Sequence, residues 1–310
     1  MFLSYSGFKQ YQKCNFAYWN SYINNTVLSE PNDRLGSIYG TIVGKIFETF
    51  YATQAWKQLD PQKFLLDLVD EIVSSVIREE TSDKGHKKAG VLMWKGTGPG
   101  QNPAGMYTDR AELTEDVNAG VIRGLRIIKY HRLVGPRTDA ELKLDYEFEG
   151  NKYGGRADFV IQRLKPFSDL LIVDGKGSKH LGRYVDPQQL KWYGMLFWLH
   201  ALEKGGPLIP DKTAFLYWKA EPEKAMDWLT FSQDDFKGFF EEVQDTVKEI
   251  IKFEKMVLPN SPVAAARGVF KPKANEDNCR FCPYSSGCPQ GAKVKAQIET
   301  QAQVKRDRKS

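Results

Sequence analysis

The sequence predicts a mixed α/β fold that combines several helices with an antiparallel group of strands. Hydrophobic residues recur at helical spacing over residues 4–22, 38–58, 61–80 and 110–131, whereas residues 142–148 alternate between apolar and charged side chains, as strands do. The 310 residues are 41% hydrophobic, which is enough to bury a sizeable core. The net charge of +5 is compatible with a polyanionic partner but does not establish one.

The chain lacks the sequence marks of secretion and of a membrane span. No basic segment followed by an apolar stretch opens the sequence, and no run of 18 apolar residues occurs. We therefore expect a cytoplasmic protein that does not contact a membrane.

Two helices are expected near the N-terminus. The first begins at a Ser4 or Ser6 cap and contains Cys14, and a lone cysteine in such a helix is ordinarily part of the packing. The second, over residues 38–58, is apolar on most faces. Its central acidic residue, Glu48, is therefore either on an exposed face or a functional ligand, because an unpaired buried carboxylate is costly.

Residues 81–108 are rich in glycine and lysine and show no periodicity. Long segments of this kind inside compact domains are often functional or disordered. We interpret the segment as a mobile basic flap that could touch a backbone phosphate or a base, with plain disorder as the alternative.

Residues 156–176 carry the strongest functional signal. Two runs of strand-forming residues, 159–164 and 170–173, flank a Pro-Phe-Ser-Asp turn, which indicates a hairpin. If the turn centres on Pro166, Asp158 lies opposite Asp174, roughly 5 Å away. Lys176 follows Asp174 by two residues and shares its face of the sheet.

Two adjacent carboxylates repel each other unless a cation lies between them. Oxygen ligands suit magnesium or manganese, and a lysine beside the metal can orient a water molecule. The alternative is an ordinary surface hairpin whose terminal charges form an Asp–Lys pair. Glu141, at the start of the preceding strand, could also reach this site.

A further helix is predicted to begin at Asp186-Pro187, a capping residue followed by proline. Gln189 and Tyr193 are four residues apart and lie on one face of that helix. Without a functional role they would be a half-exposed glutamine and a packed tyrosine.

Three cysteines lie close together near the C-terminus, at Cys279, Cys282 and Cys288. In a cytosolic chain this spacing favours a metal centre over disulfides. With Cys14 the set provides four thiolates, enough for a tetrahedral zinc site or an iron–sulfur cluster. One remote ligand plus a triplet that ends in Cys-Pro favours the cluster, whose role would be to tie the C-terminal segment to the first helix.

Together these residues resemble the RecB-like nucleases of the PD-(D/E)XK superfamily, in particular the iron–sulfur branch that includes CRISPR-associated RecB-like exonucleases. The matching motifs appear in the family's order and span the chain. They are Leu-Ser-Tyr-Ser through Cys14, Gly40-Thr-Ile-Val, Gly155-Arg-Ala-Asp158, Val173-Asp-Gly-Lys176, Gln189-x-x-x-Tyr193 and the cysteine triplet.

The resemblance implies a restriction-endonuclease-like core in which a central mixed sheet is flanked by helices. It implies that Asp158 and Asp174 bind the catalytic metal with the backbone carbonyl of Gly175. By the same resemblance, Lys176 positions or activates the attacking water, and the four cysteines hold a [4Fe-4S] cluster.

In this family the glutamine and tyrosine, here Gln189 and Tyr193, contact the DNA strand near the scissile phosphate. One departure concerns the metal, because the family commonly has a metal-binding histidine where this chain has Gly44. Glu48, one helical turn further along the same face, is the expected substitute.

The resemblance also implies a single RecB-like nuclease domain over residues 1–310. Within it we expect a helical insertion at 50–135 that includes the flap at 81–108, a catalytic sheet core at 136–220, a cysteine segment at 270–290 joined to Cys14, and a basic tail at 291–310.

The sequence therefore predicts a magnesium- or manganese-dependent DNA exonuclease that acts on single strands or duplex ends. Trp94, Tyr184 and Trp192 are candidate platforms for DNA bases. A helicase or a recombination, repair or CRISPR protein is the expected kind of partner. The rival prediction is a non-catalytic DNA-binding protein whose cysteines hold structural zinc or an iron–sulfur cluster.

Overall fold

The computed structural model describes residues 1–26, 35–82, 92, 94–95, 106–163, 169–177, 186–204, 209–257, 263–279, 282–285 and 287–307. Most of the expected flap, the turn at Pro166 and Tyr184 lie outside the described residues. The chain divides into two compact units. The smaller contains Met1–Glu30, Gly85–Lys88 and Glu241–Ser310, and the larger contains Pro31–Lys84 and Ala89–Phe240.

The chain begins with β1 (Phe2–Ser4), α1 (Tyr5–Lys13), α2 (Asn15–Tyr18) and a π-helical turn over Trp19–Ile23. Ser4 caps α1, because its Oγ accepts a 3.3 Å hydrogen bond from the N–H of Gly7. The prediction of one continuous helix was wrong. The backbone at Cys14 is extended, with φ −162° and ψ 109°, so Cys14 lies at a break between two helices.

In the part of the larger unit that the structure describes, three α-helices precede the sheet: α3 (Leu35–Ala52), α4 (Pro61–Thr81) and α5 (Arg110–His131). Asp60 and Asp109 cap α4 and α5 by accepting 2.9 Å hydrogen bonds from backbone N–H groups three residues further on. α3 is shorter than predicted. It ends at Ala52, Gln54 takes a left-handed φ of 53°, and a 3₁₀ turn follows over Ala55–Lys57.

The sheet of the larger unit is mixed, and it consists of β2 (Arg137–Phe148), β3 (Asn151–Gln162), β4 (Leu170–Lys176), β5 (Lys212–Tyr217) and β6 (Met226–Leu229) in that order. β4 and β5 run parallel, and the other neighbouring pairs are antiparallel. The crossover between β4 and β5 contains α6 (Pro187–Glu203). α3 and α6 pack on the sheet, so the predicted α/β fold with a mixed sheet flanked by helices is confirmed.

The β3–β4 hairpin has the register expected from the sequence. Phe159 pairs with Val173, and the pairing continues toward the turn. When the same register is extended by one pair away from the turn, Asp158 lies opposite Asp174. A slip by one residue would instead place the two carboxylates on opposite faces.

A buried ion pair closes this hairpin at its turn end. Arg163 is 6% exposed, and its Nε and Nη2 donate to the two carboxylate oxygens of Asp169 at 2.7 and 2.5 Å. Its Nη1 also donates to the backbone carbonyl of His131 at 3.0 Å. The two-point geometry fixes the strand ends that lead into the turn.

The chain ends with α7 (Gln233–Met256), α8 (Val263–Val269), α9 (Glu276–Cys279) and α10 (Pro289–Asp307). The boundary between the two units falls within α7. In the larger unit, the apolar faces of α3, α4 and α5 share one core with β3, β4 and β5, in which Phe47 stacks on Trp218 with ring centroids 4.4 Å apart. None of the described helices combines the length and apolarity that a bilayer span requires.

Candidate active site

The candidate site lies where β4 ends with Asp174, Gly175 and Lys176. Asp174 is 3% exposed, yet its contacts are polar. Its Oδ1 accepts a 2.9 Å hydrogen bond from Nε2 of Gln189, and Lys176 forms an ion pair with the same carboxylate. Burial raises the pKa of Asp174, whereas Lys176 lowers it. The buried carboxylate therefore favours additional positive charge.

Asp158 lies on β3 opposite Asp174, and a backbone group of β4 holds it. Its Oδ2 accepts a 2.8 Å hydrogen bond from the N–H of Gly175. Burial raises the pKa of Asp158, the charge of Asp174 raises it further, and the hydrogen bond from Gly175 lowers it. The two carboxylates thus oppose each other's ionisation, a repulsion that a divalent cation would relieve.

Two residues of α6 complete the contacts. Nζ of Lys176 donates to Oε1 of Gln189 at 3.0 Å, and Nε2 of Gln189 lies 3.4 Å from the hydroxyl of Tyr193. Burial raises the pKa of Tyr193 to about 12, the hydrogen bond with Gln189 lowers it, and the aspartates raise it. Tyr193 is therefore a neutral hydrogen-bonding group at neutral pH.

Glycines allow the helices to approach the strands that carry the site. A Cβ at Gly155 would meet the ring of Tyr193 at 3.0 Å, so this glycine of the Gly-Arg-Ala-Asp motif leaves room for α6. A Cβ at Gly177, directly after β4, would meet the Cα of Gly40 on α3 at 2.7 Å. Both contacts give these motif glycines a packing role.

One further acidic residue, Glu141, influences the aspartate pair directly, and Glu48 influences Glu141. Glu141 on β2 lies opposite Asp158 by the register of its flanking pairs, and it has a left-handed φ of 52°. Burial raises the pKa of Glu141 and the charge of Glu48 raises it further, whereas Arg156, 3.4 Å away, lowers it. The charge of Glu141 in turn raises the pKa of Asp158. Glu141 on β2 thus acts on Asp158, and Glu48 on α3 acts on Glu141.

Gly44 on α3 occupies the position at which the family resemblance predicts a histidine. Gly44 lies one turn before Glu48, and a Cβ added to it would have no atom of the described residues outside its own part of the helix within 4 Å. The described neighbours of Gly44 therefore leave room for a Cβ.

The oxygen donors here suit a hard divalent cation. Asp158 and Asp174 supply carboxylates, the carbonyl of Gly175 lies between Asp174 and Lys176, and Glu48 is half-buried on the neighbouring helix. Within the described ranges, no three His, Cys, Asp or Glu side chains are spaced as a complete ligand set. A bound ion would therefore need backbone or water oxygens as well, as magnesium commonly does.

All four cysteines are free thiols of the smaller unit: Cys14, Cys279, Cys282 and Cys288. Burial raises the pKa of Cys279 and Cys282, and the charges of Cys14 and Cys288 raise both values further. Thiols that affect one another in this way are donors suited to a thiophilic metal. In the part of the chain that the structure describes, they do not yet have the spacing of a ligand set.

Two sulfurs already accept hydrogen bonds from the backbone. Sγ of Cys14 accepts one from the N–H of Lys273, and Sγ of Cys288 accepts one from the N–H of Gly291, each at 3.4 Å. Such bonds to sulfur stabilise thiolate ligands and tune the properties of a bound cluster.

Of the aromatic residues suggested as DNA platforms, the two that the structure describes, Trp94 and Trp192, are not fully exposed. The suggestion for Trp192 was wrong, because its side chain is fully buried and its Nε1 donates to the carbonyl of Gly154 at 3.3 Å. Trp94 is half-buried against the core of the larger unit. Tyr184 lies outside the described residues.

Trp218 belongs to the site's packing, although no motif marks it. A Cβ at Gly175 would meet Nε1 of this indole at 2.7 Å, and the N–H of Trp218 donates to the carbonyl of Lys176 at 3.0 Å. The sequence shows only an aromatic residue at the end of a buried strand, so its place beside the aspartate pair could be found only from the fold.

The family model described as the PD-(D/E)XK nuclease superfamily matches residues 2–289. No curated protein matches the sequence significantly. Among solved structures, a protein from Eubacterium rectale provisionally named an exonuclease is similar at 13% identity and TM-score 0.43, covering 87% of this chain and 83% of its own. The protein SSO0001 is similar at 16% identity and TM-score 0.30, covering 57% of this chain and 74% of its own.

Proposed function

Because the chain belongs to the PD-(D/E)XK nuclease superfamily, we propose that it is a metal-dependent deoxyribonuclease, and more narrowly an exonuclease of the RecB-like iron–sulfur branch. The observation that carries this proposal is the meeting of Asp174, Lys176 and Gln189 beside Asp158. These residues come from two strands and a helix, and they touch through their functional groups. An ordinary surface hairpin would not bury its terminal aspartate.

Asp158 and Asp174 are the proposed metal ligands, with the carbonyl of Gly175 and the carboxylate of Glu48 as further donors. A bound Mg²⁺ or Mn²⁺ ion would supply Lewis-acid polarisation of the scissile phosphodiester. The raised pKa values of both aspartates support this assignment, because each carboxylate lacks enough positive charge nearby. Gly175 also orients Asp158 through its N–H.

Lys176 is the proposed group that positions the attacking water. Its side chain is 26% exposed, so part of it reaches solvent while its ammonium contacts Asp174 and Gln189. It can donate to a water oxygen or to a phosphate oxygen. In hydrolysis the water oxygen bonds to phosphorus, the bond from phosphorus to the leaving sugar oxygen breaks, and the two protons of water end on the leaving oxygen and in solvent.

Gln189 and Tyr193 are the proposed DNA contacts. Both lie on the face of α6 that is directed at the aspartate pair, and the hydroxyl of Tyr193 remains protonated as a donor. In the free protein Gln189 bridges Asp174 and Lys176. Substrate binding would exchange some of these hydrogen bonds for bonds to the strand near the scissile phosphate.

The substrate we propose is single-stranded DNA or a duplex end, with affinity that falls as salt rises. A helicase or a recombination, repair or CRISPR protein is the proposed kind of partner. The cytoplasmic location and the single-domain organisation remain predictions from the sequence.

The cysteines are proposed to hold a [4Fe-4S] cluster that ties the C-terminal segment to the start of the chain. The charges of Cys14 and Cys288 raise the pKa values of Cys279 and Cys282, and this proximity supports a shared metal centre. The rival function is a non-catalytic DNA-binding protein with structural zinc or iron–sulfur at this site. What favours the rival is Gly44, which leaves the aspartate pair without the family's histidine.

A nuclease assay separates the two functions. Full-length protein, purified anaerobically, is incubated with end-labelled single-stranded DNA and Mg²⁺ or Mn²⁺, with EDTA as the metal-free control. We expect metal-dependent release of labelled products from wild type and none from Asp174→Ala, while both proteins bind DNA. Binding without cleavage by wild type in either metal would favour the rival function.

A further inference from the structure

Asn278 lies at the junction of the two chain segments that carry the cysteines. It directly precedes Cys279 in α9. Both hydrogens of its side-chain amide are used, because Nδ2 donates to the backbone carbonyls of Lys13 and Lys273, each at 2.8 Å. Lys13 directly precedes Cys14. One amide therefore joins the residue before the remote cysteine to the segment that leads into the cysteine triplet.

The break at Cys14 creates the acceptor for this bond. α1 ends at Lys13, and the last carbonyls of a helix have no partner within it. The segment that Asn278 holds makes two further contacts with the same place. The N–H of Lys273 donates to Sγ of Cys14 at 3.4 Å, and its Nζ donates to the carbonyl of Gln12 at 3.0 Å.

The cap of α9 fixes Asn278 itself. The N–H of Asn278 donates to Oδ1 of Asn275 at 2.8 Å, and the N–H of Cys279 donates to the carbonyl of Asn275 at 3.0 Å. The side chain of Asn278 is thus held in place next to a cysteine. Both N–H donors of its amide are used, each on one backbone carbonyl.

We propose that Asn278 is a positioning residue for the thiol metal centre, which holds Cys14 against the cysteine triplet before the metal binds. The inference rests on the proposed metal centre and applies to iron–sulfur or zinc alike. Bringing together two segments so distant in sequence costs chain entropy. Contacts that already hold them together reduce the cost that metal binding must overcome.

The relative rates at which two variants lose metal distinguish a role in hydrogen-bond donation from a role in packing alone. Asn278→Ala removes both donors and leaves the two carbonyls open to water. Asn278→Asp keeps the shape but turns a carboxylate oxygen toward the two carbonyls. A donor role therefore predicts that Asp is worse than Ala, whereas a role in packing alone predicts the opposite order. Asp277→Asn, an acid–amide exchange at the exposed neighbour in the same helix, is the matched control.

The full-length proteins are purified anaerobically, and their iron, acid-labile sulfide and zinc are quantified. Loss of metal to an excess of chelator is then followed over time. We expect Asn278→Ala, which loses two hydrogen bonds, to lose metal at least about fivefold faster than wild type, since each such bond is worth a factor of roughly 2 to 10. Asn278→Asp should lose it faster still, and Asp277→Asn should match wild type. Equal rates for all four proteins, or a slower loss from Asp than from Ala, would overturn the proposal.

A second readout keeps this inference separate from the metal proposal. Wild-type protein without iron, sulfide or zinc would contradict the metal centre. In metal-free protein, the disulfide formed between Cys14 and the triplet under mild oxidation is measured by mass spectrometry of unreduced peptides. The yield should fall in the order wild type, Ala, Asp if Asn278 holds the segments together, and an unchanged yield would contradict that role.

Discussion

The backbone N–H of Gly175 donates a 2.8 Å hydrogen bond to the carboxylate of Asp158 on the neighbouring strand. The bond aligns one aspartate with the residue that follows the other, so both proposed ligands and the Gly175 carbonyl have fixed relative positions. This hydrogen bond does not neutralise Asp158. Burial and the charge of Asp174 together hold the pKa of Asp158 above its ordinary value. The metal-free site therefore stores electrostatic repulsion.

Replacing Asp158 by Asn should stabilise the metal-free protein at neutral pH. A carboxyl whose folded pKa is raised contributes stability below its unfolded pKa of about 4, and that contribution is lost as pH rises through the folded value. In EDTA, the melting temperature of wild type should fall as pH rises above about 4, and the melting temperature of Asp158→Asn should fall less. Added Mn²⁺ should raise the melting temperature of wild type only.

Thermal melts over a pH series, with and without Mn²⁺, provide this measurement. Asp227→Asn, at an exposed position on β6, is the control and should follow wild type. If Asp158→Asn melted below wild type throughout, the two aspartates would not be a repulsive pair.

Replacing Lys176 by Met should reduce DNA hydrolysis by at least about 100-fold, because one positioned donor at a reacting phosphate is commonly worth that much. DNA affinity should change little. Initial rates at saturating metal and fluorescence anisotropy with labelled DNA measure the two effects. Lys152→Met is the matched control, since Lys152 is an exposed lysine of β3 that pairs with Glu147. If Lys176→Met hydrolysed DNA at a rate within twofold of wild type, Lys176 would have no role in the reaction.

Replacing Gly44 by His should strengthen metal binding, because position 44 lies one turn before Glu48 on the same face of α3 and imidazole is a common ligand of transition metals. The Mn²⁺ concentration that gives half-maximal cleavage should fall by about tenfold, the equivalent of about 1.4 kcal/mol. Gly44→Ala separates this effect from helix stabilisation. It should raise stability by about 0.5–1 kcal/mol and leave the metal requirement unchanged. If Gly44→His and Gly44→Ala needed the same Mn²⁺ concentration for half-maximal cleavage, position 44 would lie away from the metal.

Replacing Asp169 by Asn should destabilise the larger unit by about 3 kcal/mol, because Arg163 would keep a buried charge without its partner. Arg163 lowers the pKa of Asp169, so the pair's contribution is present above about pH 4 and is lost as pH falls through the lowered value. Urea denaturation at pH 7 and at lower pH measures both effects. Asp139→Asn breaks an exposed pair with Arg137 and should cost less than about 1 kcal/mol. Equal losses for the two variants would contradict the buried character of the Arg163 pair.

Local patterns were sufficient to predict the aspartate pair. A turn between two short strands fixes which residues face each other, so the positions of Asp158 and Asp174 followed from the sequence. The side-chain direction of Lys176 followed from the two-residue repeat of a strand. The placement of Gln189 and Tyr193 on one helix face followed from their spacing.

Features that depend on distant contacts could not be predicted in this way. The helix break at Cys14 occurs where residues 273 and 278 bind that region, and no nearby glycine or proline marks it. The left-handed backbone of Glu141 lies inside β2, which begins at Arg137, whereas the alternating pattern predicts a strand that starts only at Glu141. The burial of Trp192 results from its packing between α6 and the sheet, where its indole reaches Gly154.

The close contact between Gly40 and Gly177 makes the surroundings of the aspartate pair depend on two residues that have no side chain. Any larger residue at position 177 would act as a spacer and lift α3 away from the end of β4, and Glu48 would move with the helix. Inherited changes that silence this protein should therefore include substitutions at these glycines, which would leave every reactive side chain intact but separate α3, which carries Glu48, from β4, which carries Asp174.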